Sequence, residues 1–509
     1  MKRVINLLCI AAILIGLVSC ESVPEQPTSA TPASMTTIPS PTAPSTESSS
    51  VPTTASASQA TTSTTPESTT NATDPHSTTH AGGVFDEDRI VFSFAAITDT
   101  HLNFNGTAST ITVDKTKKAY SVLKEWASKH DEDGLDAVIH IGDLVHSHNK
   151  DFIGLFKKIY DEYFDVTKVP LVYCLGDGHD VTWSADAKAA IADFTSTFGV
   201  SYYLYDVDED QIAKGNRHCV INGYHFIALE PVSRSPITYD TETKAWLDKT
   251  LSDITSENPD AYVFILTHPM ITGTAYGSEL GTSWATSDLT DILSKYPQAV
   301  TFGGHLHYAI NDERSIMQSD FTAIGCGAVY YTCVETEAAG NAVTLSEDTN
   351  QGLLVQLDAD GDMRITRLDF ANNAEIKTAW ELSAPMADGS HLTRYTQKRS
   401  DGNTAPTFAE GAKIEVADGG YKTKLTMPTA NDDDMVHHYI FKITDVNANT
   451  TKIMRQEADY YNSPDLSSLA QSLEFKIVLG ADTEYLFELY AYDSWGAVSE
   501  PLTLTYKSK

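Results

Sequence analysis

Cysteine is scarce in this chain of 509 residues, which contains only six. No two of them form a Cys-x-x-Cys pair, so a zinc ribbon and a dense disulfide framework are both excluded. Cys174 and Cys219 lie in apolar, strand-like runs, which predicts buried thiols rather than a bridge. Cys326 and Cys333 are close in sequence, and their spacing leaves both a disulfide and two free thiols open.

Basic residues are also few, since 35 Lys and Arg stand against 69 Asp and Glu, for a formal net charge of −34. Such a surface repels phosphate backbones, so electrostatic binding of nucleic acid is not expected. The same charge disfavours a polybasic grip on anionic lipid and suits a protein that recruits cations. The chain is too long for one core, and with 41% hydrophobic residues most of it can fold.

Long apolar runs are absent apart from one at the N terminus, between residues 4 and 18. It follows two basic residues and is short for a spanning helix, so residues 1–19 are predicted to be a secretory signal peptide. The run ends at Cys20 in the sequence Leu-Val-Ser-Cys, which resembles a bacterial lipobox. This resemblance implies cleavage before Cys20, lipidation of its thiol and an extracytoplasmic protein anchored to the cell membrane. An ordinary signal peptide with a chance cysteine is the alternative.

A tether is predicted to follow the signal peptide, over residues 20–84. Between residues 21 and 80, 30 of 60 residues are Ser or Thr, nine are Pro, and none is Lys or Arg. Such a segment cannot bury enough apolar surface to offset the entropy of ordering it, so we expect an extended, solvated chain.

Residues 85–372 alternate between β-rich runs and amphipathic helical stretches. Strands are predicted at Ile90–Ile97, Ala137–Ile141 and Val169–Leu175, with helical patterns between them. This repeated strand–loop–helix order predicts a layered α/β domain.

The pattern changes after residue 372. Residues 373–405 are polar and turn-rich, which predicts a linker, and residues 406–509 show only short alternating strands, which predicts a β-sandwich. The end of the chain, from Tyr485 to Pro501, resembles the last two strands of a fibronectin type III domain. The neighbouring residues His437 and His438 are predicted to lie on the surface of this domain.

Five motifs in residues 85–372 combine carboxylates, imidazoles and glycines, and each follows a predicted strand. They are Asp99-Thr100-His101, Gly142-Asp143-Leu144, Gly176-Asp177-Gly178-His179-Asp180, Thr267-His268-Pro269 and Gly303-Gly304-His305-Leu306-His307. Ligands bind layered α/β folds beyond the carboxyl ends of strands, so these loops are predicted to converge. Trp183, Tyr276 and Trp284 lie in loops after the third and fourth motifs and could line a pocket.

The chemistry of these side chains fits a pair of metal ions. Carboxylates and imidazoles bind divalent ions such as Zn, Mn and Fe. Two such ions held ~3.5–4 Å apart can stabilise both the attacking and the leaving oxygen of a phosphoryl displacement. Each motif alone is weak evidence, but all five in this order form a strong joint signal.

With these motifs, the chain from about Arg89 to Phe370 resembles the calcineurin-like metallophosphoesterase family. The resemblance implies a four-layer α/β/β/α sandwich with two divalent metal ions. It also implies a role for each motif residue. By position, Asp99, His101 and His307 would bind the first metal, Asp143 would bridge both, and His268 and His305 would bind the second. His179 would stabilise the transferring phosphoryl group or protonate the leaving oxygen, and Asp180 would orient His179.

One ligand position departs from the family pattern. The family carries Gly-Asn-His-Asp, whereas this chain has an extra residue between Gly176 and His179. Either Asp177 replaces the Asn ligand with Gly178 inserted, which we prefer, or Gly178 takes that position and the ligand is lost. If Gly178 takes that position, the alternative interpretation is a metal site that has lost its function.

These observations predict a surface-anchored, dinuclear metal-dependent hydrolase of phosphate esters, in which a metal-bridging hydroxide is the nucleophile. The substrate would be a phosphate-ester small molecule or a surface polymer, and the lipid anchor would provide contact with the membrane. The alternative is a catalytically weak binding or adhesion lipoprotein that keeps the fold, because fold does not fix function. A DNA exonuclease of the same family is disfavoured by the charge and the export signal.

Overall fold

The computed structural model describes residues 85–103, 110–130, 134–176, 178–181, 187–199, 208–335, 342–345, 349–419, 421–462 and 469–509. The predicted signal peptide, the lipidation site Cys20, the tether and the candidate ligand Asp177 lie outside these residues, as does Trp183.

The first part of the described chain contains both helices and strands. Its helices are α1 (Ile111–His130), α2 (Lys150–Tyr163), α3 (Ala187–Phe198), α4 (Glu209–Ala213), α5 (Thr241–Glu257) and α6 (Thr290–Leu293). Its strands are β1 (Ile90–Ile97), β2 (Ala137–Ile141), β3 (Leu171–Cys174), β4 (Arg217–Ile221), β5 (Tyr224–Leu229), β6 (Ser233–Arg234), β7 (Ile237–Thr238), β8 (Val263–Thr267), β9 (Met270–Ile271), β10 (Ala285–Thr286), β11 (Ala299–Gly303), β12 (Ile316–Gln318), β13 (Thr322–Gly325), β14 (Cys333–Glu335), β15 (Ala342–Thr344), β16 (Gln351–Asp358), β17 (Met363–Asp369), β18 (Ala374–Glu375) and β19 (Trp380–Leu382).

Two mixed sheets form the centre of this part. The seven-stranded sheet has the order β18-β17-β16-β1-β2-β3, with β19 also paired to β17. The six-stranded sheet has the order β12-β13-β11-β8-β5-β4. Strands β1, β2 and β3 run parallel to one another, and so do β5, β8 and β11. The carboxyl ends of β1 and β2, and those of β8 and β11, therefore meet at the same edge of their sheets.

Alternating side chains build four layers from these elements. In β1, Phe94 faces the core between the two sheets, whereas Ile97 faces the helices of the outer layer. The ring of Phe94 packs against that of Phe264 in the second sheet, with centroids 5.0 Å apart. Helices α1, α2 and α3 cover the outside of the first sheet, and α5 and α6 cover the second. The predicted α/β fold class is confirmed, with the α/β/β/α order of layers.

The segment 373–405, predicted to be a linker, contributes instead to this fold. Strands β18 and β19 pair with β17, and the aromatic rings of Trp380 and Tyr395 are buried in the core between the sheets. Burial of these two large rings, together with ladder hydrogen bonds, explains why a polar, turn-rich segment is ordered here.

The last part of the chain is all β, as predicted. Its strands are β20 (Glu415–Asp418), β21 (Thr423–Pro428), β22 (Val436–Asp445), β23 (Thr450–Glu457), β24 (Ser472–Ile477), β25 (Glu484–Asp493) and β26 (Leu502–Lys507). They form one sheet of order β20-β21-β24 and another of order β23-β22-β25-β26. Buried residues alternate with exposed ones along β24 and with half-buried ones along most of β25, which places Phe475 and Phe487 in a shared core.

His437 and His438 differ from the surface position that we predicted. His437 is only 2% exposed, because Tyr276 and Glu335 of the first part lie against it. Its Nε2 lies 3.1 Å from the hydroxyl of Tyr276 and 3.1 Å from Oε2 of Glu335. The β-sandwich and the α/β part thus share a buried polar interface.

Cys174, Cys219, Cys326 and Cys333 are all buried free thiols, so the Cys326–Cys333 disulfide is not formed. No helix among the described residues combines the length and the apolar content needed to cross a membrane.

Candidate metal centre

The motif residues that the structure describes converge at the carboxyl ends of four strands. Asp99 and His101 follow β1, Asp143 follows β2, and His268 follows β8 directly. His305 and His307 follow β11. The backbone N–H of His305 donates to Oδ2 of Asp99 over 3.1 Å, which ties the loops of the two sheets together.

Asp99, His101 and His307 form one buried group of donors. The Nε2 atom of His307 lies 3.0 Å from Oδ1 of Asp99 and 3.1 Å from Nε2 of His101. Donor atoms that share one ion at about 2.0–2.2 Å lie about 3–3.5 Å from one another. The spacing of this group therefore fits a single divalent cation.

Asp143, His268 and His305 form a second group beside the first. Oδ2 of Asp143 lies 3.5 Å from Nε2 of His268 and 3.6 Å from Nε2 of His101, which belongs to the first group. One carboxylate oxygen thus lies between the two groups. This is the position that a bridging ligand requires.

Backbone carbonyls set the orientation of the imidazoles. Nδ1 of His268 donates to the carbonyl of Ile141 over 2.7 Å, and Nδ1 of His307 donates to that of Tyr331 over 2.9 Å. Because a carbonyl only accepts, the proton of each ring lies on Nδ1 and the lone pair of Nε2 faces the centre. His305, the first histidine of the fifth motif, donates from Nε2 to the carbonyl of Ser283 over 3.2 Å.

The backbone is strained at the candidate ligands. Five of them adopt positive φ angles, which cost L-residues other than Gly about 1–2 kcal/mol each. These five residues are Asp99 (54°), His101 (42°), Asp143 (51°), His305 (68°) and His307 (55°). Such strain persists where the surrounding structure determines it, and it accumulates at functional sites.

Glycines allow the loops to approach one another at this point. A side chain at position 176 would clash with the carboxylate of Asp143, and one at position 142 would clash with the imidazole of His268. A side chain at position 304 would meet Thr98 and Asp99. The three motif glycines thus make room for the candidate ligands.

The electrostatics favour a cation. Burial alone would raise the pKa of Asp99, but the neighbouring His307 and His101 hold it well below its ordinary value. Burial likewise opposes ionisation of Asp143, and His268 and His101 lower its pKa overall. Burial lowers the pKa of His101. Oδ1 of Asp143 and Nδ1 of His101 are buried and have no hydrogen-bond partner among the described residues. Two ionised carboxylates among buried imidazoles form a donor set that fits divalent metals.

His179 lies beside this centre, with its ring 4.5 Å from the ring of His101. Its Nδ1 donates to the carbonyl of His146 over 2.7 Å, so Nε2 is left for a substrate. His101, His146 and His179 also form a third group of donors within reach of one another. From the sequence, His146 could either touch substrate or lie in a solvated loop after Asp143, and the structure places it beside His179.

Asp180 differs from the role that we predicted. Instead of orienting His179, its carboxylate accepts from the backbone N–H groups of Leu144, Val145 and Gly176 over 3.0, 2.9 and 2.9 Å. These donors belong to the loops that follow β2 and β3. Asp180 therefore fixes the loop that carries Asp143. The choice between Asp177 and Gly178 as the ligand position lies outside the described residues.

A cavity of about 610 Å³ opens onto the centre, and Asp143, His101 and His179 form part of its wall. Trp284 lines it as well, and its ring lies 4.9 Å from that of His305. Tyr331, which the sequence analysis did not single out, packs its ring 4.2 Å from that of His307. Tyr276 instead lies at the interface with the β-sandwich.

Comparison with known proteins bears on the first part of the chain. Residues 92–309 match the family model of the calcineurin-like phosphoesterases. No curated protein matches the chain.

Among solved structures, the chain is similar to a dimetal phosphatase from Danio rerio, with 11% identity and a TM-score of 0.41 over 58% of this chain and 99% of that one. It is similar to a purple acid phosphatase from yellow lupin (Lupinus luteus), with 13% identity and a TM-score of 0.40 over 62% of this chain and 59% of that one. It is also similar to a fibronectin type III domain of human collagen XX, with 17% identity and a TM-score of 0.16 over 21% of this chain and 94% of that one.

The family match over residues 92–309 and the layered sheets lead to one conclusion: this part of the chain has a metallophosphoesterase α/β fold, and an all-β region follows it.

Proposed function

We propose that this protein is a dinuclear metal-dependent hydrolase of phosphate esters, anchored by lipid to the outer side of the bacterial cell membrane. The observation that carries the hydrolase is the position of Asp143, whose Oδ2 lies within 3.6 Å of a histidine from each donor group. A carboxylate shared in this way holds two cations close together and offsets their repulsion.

The candidate ligands divide between two divalent ions. Asp99, His101 and His307 would hold one divalent ion, and His268 and His305 would hold the other, with Asp143 shared. The Asp177 carboxylate is a further proposed ligand of the second ion. Bound divalent ions would offset the charge of the phosphate and make water a nucleophile near neutral pH.

His179 would complete the reaction. Its Nδ1 is bound to the His146 carbonyl, so Nε2 can donate a hydrogen bond to the phosphoryl group or a proton to the leaving oxygen. During hydrolysis, the oxygen of water forms a bond to phosphorus, and the bond between phosphorus and the alcohol oxygen breaks. The proton passes to that oxygen, and the products are the alcohol and the hydrolysed phosphate.

Hydrolysis of phosphate esters by protein purified without chelator tests the proposal. We expect release of the alcohol to require Mn, Fe or Zn, and elemental analysis to find about two ions per chain. Bound metal without turnover of any ester would favour the alternative, a binding or adhesion lipoprotein. Absence of metal under metal-replete conditions would overturn both the centre and the activity.

The location at the membrane rests on the lipobox-like residues before Cys20 and on the Ser/Thr-rich stretch that follows. Replacing Cys20 removes the only thiol at that position, so we expect Cys20→Ala to be released from cells while the wild type partitions into detergent. Ser19→Ala, which keeps a small residue before the cysteine, is the matched control and should stay anchored. Equal release of wild type and Cys20→Ala would contradict lipid anchoring.

A further inference from the structure

Among the described residues, the wall of the cavity above the metal centre contains no Lys or Arg. Fifteen described residues line it, and its ionisable members are histidines, Asp143, Tyr308, Tyr331 and Cys333. The other lining residues are small, polar or apolar. Its outer wall includes Leu280, Ser283, Trp284, Ala342 and Thr344.

The undescribed residues of the α/β part contain no Lys or Arg either. Between residues 85 and 372, the structure does not describe residues 104–109, 131–133, 177, 182–186, 200–207, 336–341 and 346–348. The sequence places neither Lys nor Arg in any of them, and instead includes acidic residues such as Asp177, Asp186 and Glu337.

This charge pattern bears on how many phosphates a substrate can carry. Sites for di- and triphosphates use Lys or Arg to balance the phosphates that the metal ions do not. Here the two proposed ions can balance one phosphate group, and the described residues of the cavity wall include no Lys or Arg to balance a second. The net charge of −34 also repels polyanions at a distance.

An aromatic surface lies beside the metal centre. Trp284 remains 41% exposed, although its ring is only 4.9 Å from the ring of the candidate ligand His305. An exposed indole at the mouth of a cavity offers a flat apolar face to a ligand. The alcohol of an ester whose phosphate is bound at the metals can reach this face, since the cavity holds about 610 Å³.

We propose that the substrate carries a single phosphate group esterified to an uncharged alcohol with an aromatic or apolar surface, and that this alcohol packs against Trp284. The inference rests on the proposed hydrolase function and narrows its substrate. Nucleoside di- and triphosphates and pyrophosphate are excluded as preferred substrates.

A panel of pure compounds tests the charge argument. With metal-replete protein, kcat/KM for phenyl phosphate or diphenyl phosphate should exceed that for ATP and pyrophosphate by about 10²-fold or more, although anhydrides are chemically more reactive. Equal or faster hydrolysis of ATP or pyrophosphate would overturn the inference and leave the hydrolase function intact. Failure to hydrolyse any compound would overturn the function itself.

The Trp284→Ala variant tests the aromatic contact. We expect KM for phenyl phosphate to rise about tenfold and KM for methyl phosphate, whose alcohol offers no ring to the indole, to rise less, with the metal content measured beside both. Tyr421, an aromatic residue of the β-sandwich that is 81% exposed, gives the control Tyr421→Ala, which should match the wild type. A Trp284→Ala variant with unchanged KM for phenyl phosphate and a normal melting temperature would overturn this contact.

Discussion

At the level of single residues, the shared carboxylate of Asp143 has the largest predicted effect. Its Oδ2 lies between His101 of one donor group and His268 of the other. In Asp143→Asn the shape is kept but the negative charge between the two cations is lost. We expect both ions to bind more weakly, by about 10²-fold or more, with activity falling in parallel.

Elemental analysis after dialysis measures this loss. Asp253→Asn is a matched control, because Asp253 is 63% exposed and pairs with the surface residue Lys249 far from the donor groups. Two ions per chain retained by Asp143→Asn would rule out the bridging role.

His179 should behave in the opposite way. It lies beside the donor groups, and its Nδ1 is held by the carbonyl of His146, so it can act on the substrate without holding the metals. In His179→Ala we expect metal content to stay at the wild-type level while kcat falls by about 10²–10⁴-fold. Single-turnover kinetics with phenyl phosphate measures the change. Metal loss in this variant would instead make His179 a ligand, together with His101 and His146.

At the level of elements, the hairpin of β4 and β5 carries a pair of histidines, of which His218 is buried and His225 is half-buried. Nε2 of His218 lies 2.9 Å from Nδ1 of His225, and burial, together with His225, lowers the pKa of His218 to about 4. Burial also lowers the pKa of His225, against the raising effect of Glu257 on α5. The folded hairpin therefore holds fewer protons than the unfolded chain between pH ~6.5 and ~4.

The sign of the pH effect follows from this difference. Because the unfolded chain binds the extra proton, stability falls as pH drops through that window, by a few kcal/mol at most (~1.4 kcal/mol for each pKa unit). In His218→Gln we expect a shallower decline of the melting temperature between pH 6.5 and pH 4. Denaturation scans across this range check it, with Tyr421→Ala, an exposed position whose substitution removes no imidazole, as a control. Identical slopes for His218→Gln and wild type would show that the pair does not titrate as described.

At the scale of the whole molecule, the layered fold and the convergence of the strand-end motifs could be predicted from the sequence. Alternation of apolar and polar residues along a strand, and a motif directly after it, can both be recognised from neighbouring residues. Asp99, Asp143 and His268 each lie in such a motif. The role of Asp180 could not be predicted, because its partners are backbone N–H groups. Backbone donors leave no trace in residue identity.

Contacts between distant segments account for the other differences. Trp380 is one aromatic residue in a polar stretch, and nothing near it in sequence reveals that β17 will pair with its strand. His437 and His438 are adjacent in β22, so they face opposite sides of the strand, and nothing near them in sequence shows that either side is covered. The partner that buries His437, Glu335, lies about a hundred residues earlier. Burial at an interface between two domains is a property of both surfaces, so neither segment predicts it alone.

That interface also predicts coupled stability between the two domains. Lys377 of the α/β part forms an ion pair with Asp434 of the β-sandwich, and both side chains are only about a tenth exposed. Glu313, the other carboxylate near Lys377, is also paired with Arg367 at 2.9 Å. In Lys377→Met, Asp434 therefore loses the ammonium group that offsets its buried charge, whereas Glu313 keeps a cation.

Removing one member of a buried ion pair costs about 3–5 kcal/mol, more than the pair itself contributes. We expect Lys377→Met to lower the free energy of unfolding by an amount of this order, and the double variant Lys377→Met/Asp434→Asn to recover part of the loss, because the buried carboxylate that loses Lys377 is then replaced by a neutral amide. Urea denaturation followed by fluorescence measures both. Lys249→Met, which breaks a solvent-exposed pair on α5, is the control and should change stability by less than about 1 kcal/mol. If the double variant were less stable than Lys377→Met, the loss would arise from the packing of the lysine chain and not from the buried charge of Asp434.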